Sequence, residues 1–178
     1  CMELIDDLVL RHIGEFDGKK LVSADRADLS LKGDAEETAA EKDTAAEALD
    51  DETVDKLISW LKETLKEKVA DVSRSKRLVD SPAMIVNPDG FMTSSMERVM
   101  AASRHEKGML PEISKKNLEI NAASDMIKKL ADRLGADEKF AEEVALQIYD
   151  NAMIQAGLNV NPLEMVERNY RILNRAVA

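Results

Sequence analysis

Apolar residues recur at helical spacing through the C-terminal part of the chain. Asp137 can cap a helix and Gly157 can end one, and between them apolar and small residues form a wide stripe. The stripe consists of Phe140, Ala141, Val144, Ala145, Ile148, Tyr149, Ala152 and Ala156. After it, residues 161–164 have the types expected of a helix N-cap, a first-turn proline and a capping-box glutamate. The pattern predicts a hairpin of two helices.

The second helix of this hairpin carries a narrower apolar seam. Its members follow at alternating spacings of three and four, like the core positions of a coiled coil: Leu163, Val166, Tyr170, Leu173 and Val177. The stripe and the seam together present more apolar surface than two helices can hide from each other. We therefore hypothesise that the hairpin pairs with a second copy of the chain. The alternative, which spacing alone leaves open, is that the seam packs on the chain's own sheet.

Three short apolar runs upstream of the hairpin predict a small sheet. Residues 69–79 alternate between apolar and polar side chains, residues 83–86 form a continuous apolar run, and Leu118 with Ile120 supplies a third strand. Two predicted helices flank these runs: one with the stripe Val54, Leu57, Ile58, Leu61 and Leu65 behind an N-cap at Asp50 or Asp51, and one over residues 122–134 that ends at Gly135. We predict an α+β fold, in which a small mixed sheet of about three strands packs with helices.

The N-terminal part of the chain has the pattern of an incomplete domain and a connector. Leu4, Ile5, Leu8, Val9 and Ile13 share a helical face, which Gly14 and the turn at Asp17-Gly18 interrupt before a short predicted strand at residues 20–23. Acidic residues and alanines follow, with almost no large apolar side chain to bury. We predict an incomplete domain over residues 1–33, a partly helical acidic connector over residues 34–52, and one domain over residues 53–178.

A methionine-rich segment lies between the second and third predicted strands. At helical spacing its apolar residues share one face, made of Met92, Met96, Val99 and Met100. Flexible, polarizable thioethers can adapt to partners of differing shape, but they also fill gaps in cores. Spacing alone does not decide between a binding surface and a core.

Composition limits the classes of partner and the compartment. The 178 residues include 44% apolar residues, enough for a core, and carry a formal net charge of -10, which repels nucleic acid. Cys1 is the only cysteine, so we expect no internal disulfide and a cytoplasmic location. No apolar run approaches a membrane-spanning length, and we expect no membrane partner. Because the chain opens on Cys1, we expect a fragment of a longer protein.

The sequence contains no recognisable catalytic motif. No glycine spacing matches a phosphate-binding loop, and no nucleophile-elbow or kinase pattern occurs. His12 precedes Glu15 by three residues, but two ligands fall short of a metal site, and His105 stands in a charged run. We therefore expect no enzyme, no metal and no cofactor in this chain. A metal-dependent enzyme remains a distant alternative.

Several short motifs, in order along the chain, are similar to the heat shock protein 90 family of chaperones, of the bacterial high-temperature protein G type. They are Ile5-Asp6-Asp7, Glu15-Phe16-Asp17-Gly18-Lys19-Lys20, Arg77-Leu78, Ser81-Pro82-Ala83, Met96-Glu97-Arg98-Val99-Met100-Ala101 and Leu118-Glu119-Ile120-Asn121. The resemblance implies the end of a middle domain followed by a C-terminal dimerisation domain. It also implies that the parent is an ATPase, whose ATP and magnesium bind in an N-terminal domain missing here.

The resemblance also implies roles for residues. A four-helix bundle would join two copies through Phe140, Val144, Ile148, Ala152, Leu163, Val166, Tyr170 and Leu173. Client proteins, unfolded or partly folded, would contact Met92, Met96, Val99 and Met100, with Leu8 and Val9 extending the patch. The rival hypothesis is an acidic helical scaffold or adaptor for one specific protein.

Two departures from the family pattern affect these expectations. Residues 121–125 are Asn-Ala-Ala-Ser-Asp, where members commonly have prolines and a His-Pro pair, which loosens the start of the following helix. The chain ends without the acidic tail of the eukaryotic cytosolic members. We therefore expect no co-chaperone that reads such a tail, and a bacterial origin.

Overall fold

A helix and a small hairpin form the N-terminal part of the computed structural model, which describes residues 6–21, 48–88, 115–158 and 160–177. Helix α1 covers Asp6–Ile13, and the antiparallel strands β1 (Glu15–Phe16) and β2 (Lys19–Lys20) follow it. The turn between the strands places Asp17 at φ 50° and Gly18 at φ 71°. The turn was predicted. The strand predicted at residues 20–23 overlaps β2 at Lys20, but β2 does not extend to Leu21, and residues 22 and 23 lie outside the described residues.

The second described part is a mixed three-stranded sheet with four helices. Its elements are α2 (Asp51–Thr64), β3 (Val69–Arg74), β4 (Ala83–Val86), β5 (Lys116–Ile120), α3 (Asp125–Arg133), α4 (Glu138–Gln155) and α5 (Pro162–Ala176). The strand order is β3-β5-β4, with β3 parallel and β4 antiparallel to the central β5. The predicted α+β class and small mixed sheet are confirmed.

Strand β3 ends sooner than the alternating pattern predicted. The expected strand ran to residue 79, whereas β3 stops at Arg74 and residues 75–82 form a loop. The amide of Ser75 still donates to the carbonyl of Ile120, at 2.8 Å, but the chain then turns away from β5. The side chains of Glu119, in β5, and of Asn121, directly after it, hydrogen-bond to this loop, so its residues do not need a strand partner.

Helices α2, α3 and α4 cover the sheet and close the core. The largest buried apolar side chains come from all of these layers and include Leu57, Leu61, Leu65, Val72, Leu118, Ile120 and Ile127. Helix α4 packs on β4 and buries much of its wide stripe: Ala141, Ala145, Ile148, Tyr149 and Ala152. Helix α5 contributes no large apolar side chain to the core and packs only on the outside, against α4.

Candidate protein-binding surface

Three arginines of α5 form ion pairs with α4, and two apolar side chains of α5, Met165 and Ile172, are partly buried. The guanidinium of Arg168 pairs with the carboxylate of Asp150, and its Nε donates to Oε1 of Gln147 at 3.3 Å. Further along the hairpin, Arg171 pairs with Glu143 and Arg175 pairs with Asp137. Arg168 and Asp150 are both buried, at 5% and 6% exposure, while Arg171 is about half exposed. One ion pair of this hairpin is therefore desolvated.

Asp137 links the N-terminus of α4 to the C-terminal end of α5. Its side chain caps α4 by accepting from the amide of Phe140 at 3.2 Å, and it also accepts from Arg175. The Arg175 hydrogen bond, followed by the Phe140 amide, holds the pKa of Asp137 below its ordinary value of 3.8. The guanidinium of Arg175 also lies 4.3 Å from the centre of the Phe140 ring, a cation–π distance.

The apolar seam of α5 faces away from the other described parts of the chain. Leu163 is 76% exposed and Tyr170 65% exposed, and Val166, Leu173 and Val177 are also exposed. At about 100° per residue, the three arginines and the seam fall on opposite sides of the helix. The alternative that the seam packs on the chain's own sheet is therefore wrong. An exposed apolar row of this length is typical of a protein contact surface.

The predicted interface residues on α4 have two different surroundings. Phe140 and Val144 are partly exposed and border a groove of about 400 Å³, which Met126 and Leu130 of α3 also line. Ile148 and Ala152 are buried in the chain's own core. Helical geometry explains the difference, because Ile148 and Ala152 point toward the side of Ala141 and Ala145, away from Phe140. The wide stripe thus serves the core on one side and the groove on the other.

Most of the predicted client-binding residues cannot be placed. Met92, Met96, Val99 and Met100 lie outside the described residues, as does the side chain of Leu8. Val9 is half exposed on α1. Leu10, Ile13 and Phe16 are also exposed in this part.

The motifs that carry the family resemblance fix the loop 75–82 to the sheet. Glu119 of β5 accepts from Arg77 Nε at 3.2 Å and from Ser75 Oγ at 2.9 Å. The Asn121 amide donates to the carbonyls of Val79 at 3.0 Å and Ser81 at 3.3 Å. These structural roles were not predicted from the sequence. Glu119 and Asn121 next to a buried apolar run were the available signal, because buried polar side chains need hydrogen-bond partners.

Across the parts of the chain that the structure describes, no group of His, Cys, Asp or Glu side chains is arranged to hold a metal ion. No described helix has both the length and the apolar character needed to span a membrane.

Comparison with known proteins identifies the family. The family model described as Hsp90 protein matches residues 1–178. The chain belongs to the Hsp90 family. The resemblance found in the sequence motifs is thereby confirmed.

Hsp90 relatives from bacteria and from animals align with nearly the whole chain. A chaperone protein HtpG from Desulfotalea psychrophila is 58% identical over 99% of this chain and 28% of that relative. The HtpG of Desulfitobacterium hafniense is 41% identical over 97% of the chain and 26% of its own length. The mitochondrial heat shock protein 75 kDa of Bos taurus is 32% identical over 99% of the chain and 25% of its own length. The chain thus spans only about a quarter of the length of these Hsp90 relatives.

Proposed function

We propose that this chain is the dimerisation and client-binding module of an ATP-dependent chaperone that assists protein folding. The exposed seam on α5 is the observation that carries the proposal. An apolar row pointing into water costs free energy that pairing with an identical row would recover. Two hairpins joined in this way form a four-helix bundle around a two-fold axis.

Dimerisation would serve the cycle of the longer protein. Holding two copies together raises the effective concentration of their ATPase arms, which can then close on a client between them. ATP and magnesium belong to the nucleotide-binding domain of that longer protein, and this chain supplies no catalytic residue. We place the protein in the cytoplasm, as a stress-response chaperone.

The client surface in this proposal is the methionine face made of Met92, Met96, Val99 and Met100, extended by Leu8 and Val9. Unfolded or partly folded proteins differ in shape, and thioether side chains can adapt to them. The net charge of -10 disfavours nucleic acid as a partner. We do not propose a co-chaperone that reads an acidic tail.

Sedimentation equilibrium tests the dimer. The variant Leu163→Ser with Tyr170→Ser removes two seam side chains that the chain's own core does not use. We expect a dimer for the unchanged protein and a folded monomer for this variant. Val79→Ser is the matched control, because Val79 is 73% exposed but lies on the loop between β3 and β4, outside the hairpin. Deleting α4 would not be a clean test, since α4 supplies part of the core. A seam variant that stays dimeric would refute the proposed interface.

A holdase assay tests the client surface. Met96→Ser with Met100→Ser should reduce suppression of aggregation for several unrelated unfolded proteins, without changing the dimer mass. Val79→Ser is the control, since Val79 is an exposed apolar residue outside both the methionine face and the groove. Activity toward a single protein only would favour the adaptor hypothesis instead.

A further inference from the structure

We infer that the buried pair between Arg168 and Asp150 is a positioning element that points the α5 seam toward a second copy of the chain. The inference rests on the proposed dimer and assigns residues outside the apolar interface to it. Arg168 on α5 and Asp150 on α4 contact each other within one chain. They would therefore act on the dimer only through the orientation of α5.

The contacts of Arg168 define both the rotation and the height of α5 on α4. Its guanidinium pairs with Asp150 while its Nε reaches Gln147, a residue almost one helical turn earlier on α4. A planar guanidinium that satisfies two acceptors fixes direction as well as distance. Apolar contacts alone are non-directional and would allow α5 to roll or slide.

Misorientation of α5 would carry a specific penalty. Asp150 is 6% exposed and lies on a helix that the core holds in place. A roll of one residue turns α5 by about 100° and would carry Arg168 away, leaving Asp150 desolvated without its guanidinium. Breaking a buried pair on one side is costly, so the orientation that exposes the seam is favoured over the others.

The neighbouring pair provides an internal comparison. Arg171 and Glu143 join the same two helices on the same side of α5, but Arg171 is 54% exposed in its side chain. Exposed pairs contribute little because water and salt screen them. The third pair, Arg175 with Asp137, is also partly exposed, at 49% and 29% of its side chains. Of the three pairs, the buried one is therefore expected to set the orientation of the seam.

The test compares dimer dissociation constants by sedimentation equilibrium for Arg168→Gln, Arg168→Lys and the matched control Arg171→Gln. We expect Arg168→Gln to weaken the dimer roughly tenfold or more, and Arg171→Gln by less than about threefold. Arg168→Lys keeps the charge but loses the fork between Gln147 and Asp150, so it should also weaken the dimer.

The folding of the core is followed separately. Trp60, the only tryptophan, packs against the core from α2, and its emission during urea unfolding reports the core. The unfolding midpoints are compared at a protein concentration low enough that both proteins are monomeric, because association itself stabilises the folded state. A weaker dimer with an unchanged Trp60 unfolding midpoint of the monomer supports a positioning role. If Arg168→Gln unfolds the core, the dimer dissociation constant of Arg168→Lys is used instead to test the positioning role.

The two ways of failing are distinct. Equal dissociation constants for the Arg168 and Arg171 variants, while the seam variant is monomeric, would overturn the positioning role and leave the proposed interface standing. A seam variant that remains dimeric would overturn the proposed function itself.

Discussion

Individual polar residues decide the shape of the loop between β3 and β4. Asn121 is 5% exposed and uses its whole amide: two donations to loop carbonyls and one acceptance from the amide of Ala123 at 3.0 Å. Buried polar atoms that lose their partners cost free energy, since water cannot replace them. Asn121, the last residue of the motif Leu118-Glu119-Ile120-Asn121, thus fixes the loop 75–82 by hydrogen bonds.

Asn121→Ala should lower the free energy of unfolding by roughly 1–3 kcal/mol, because it leaves buried loop groups unsatisfied. Urea unfolding followed by Trp60 fluorescence measures the change. Asn151→Ala is the matched control: Asn151 is exposed and its side chain accepts only from Gln147, so a change below about 0.5 kcal/mol is expected. Equal effects of the two variants would contradict the loop-holding role.

Asp137 should titrate below its ordinary pKa of 3.8, and replacing Arg175 should raise its pKa, because the Arg175 hydrogen bond is the largest cause of the shift. A depressed folded-state pKa contributes stability above the unfolded-state value, and that stability is lost as pH falls through the folded-state value. The contribution is thus present at neutral pH, begins to fall near pH 3.8, and is lost as the pH passes through the lower folded-state pKa.

Carboxyl-carbon NMR titration measures this pKa directly. Arg175→Gln should move it up clearly, while Arg133→Gln should move it less, because Arg133 acts only through a weaker charge interaction. A larger shift on removing Arg133 would contradict the assignment of the main cause.

Among the elements, the β1-β2 hairpin depends on one left-handed turn. Asp17 and Gly18 both have positive φ, the backbone conformation of a tight hairpin turn, and the amide of Leu21 donates to Gly14 at 2.9 Å to close it. A Cβ at Gly18 would meet no atom within 4 Å. A side chain at position 18 would therefore destabilise the hairpin only through the unfavourable positive φ, and not through a steric clash.

Gly18→Ala should destabilise the hairpin by about 1 kcal/mol, which corresponds to roughly fivefold faster hydrogen exchange at the amide of Leu21. Gly135→Ala is the control: that glycine also has open space around it but lacks a positive φ, so alanine should be neutral or slightly stabilising. Unchanged exchange at Leu21 would show that the turn does not limit the hairpin.

At the scale of the molecule, the last two helices have divided roles. Helix α4 completes the core with Ala141, Ala145 and Tyr149, whereas α5 lies outside on charged contacts and shows its apolar seam to water. This division leaves the seam exposed while the core is closed by other helices, as the proposed dimer requires. Association would then add stability that depends on protein concentration.

The thermal midpoint of the unchanged protein should therefore rise with protein concentration, because a dimer stabilises the folded state by mass action. Scanning calorimetry at two concentrations a hundredfold apart measures this rise. The variant Leu163→Ser with Tyr170→Ser should show no such dependence. A midpoint independent of concentration in the unchanged protein would contradict dimerisation in this range.

The sequence by itself determined the local elements and their class. Residues 83–86 and the Leu118-Ile120 pair became strands, and the caps at Asp50, Asp137 and Asn161 start helices as predicted, because apolar spacing and capping chemistry are local properties. The seam on α5 was also visible in the sequence.

Only the tertiary structure decided which apolar face goes where. Spacing could not separate Ile148 and Ala152, which the core buries, from Phe140 and Val144, which border the groove, because all four lie in one wide stripe. Nor could it show that Arg168 finds Asp150, or that Arg77 finds Glu119 across 42 residues of chain. Such pairs depend on how the elements pack, since neither partner is attached to the other by local geometry.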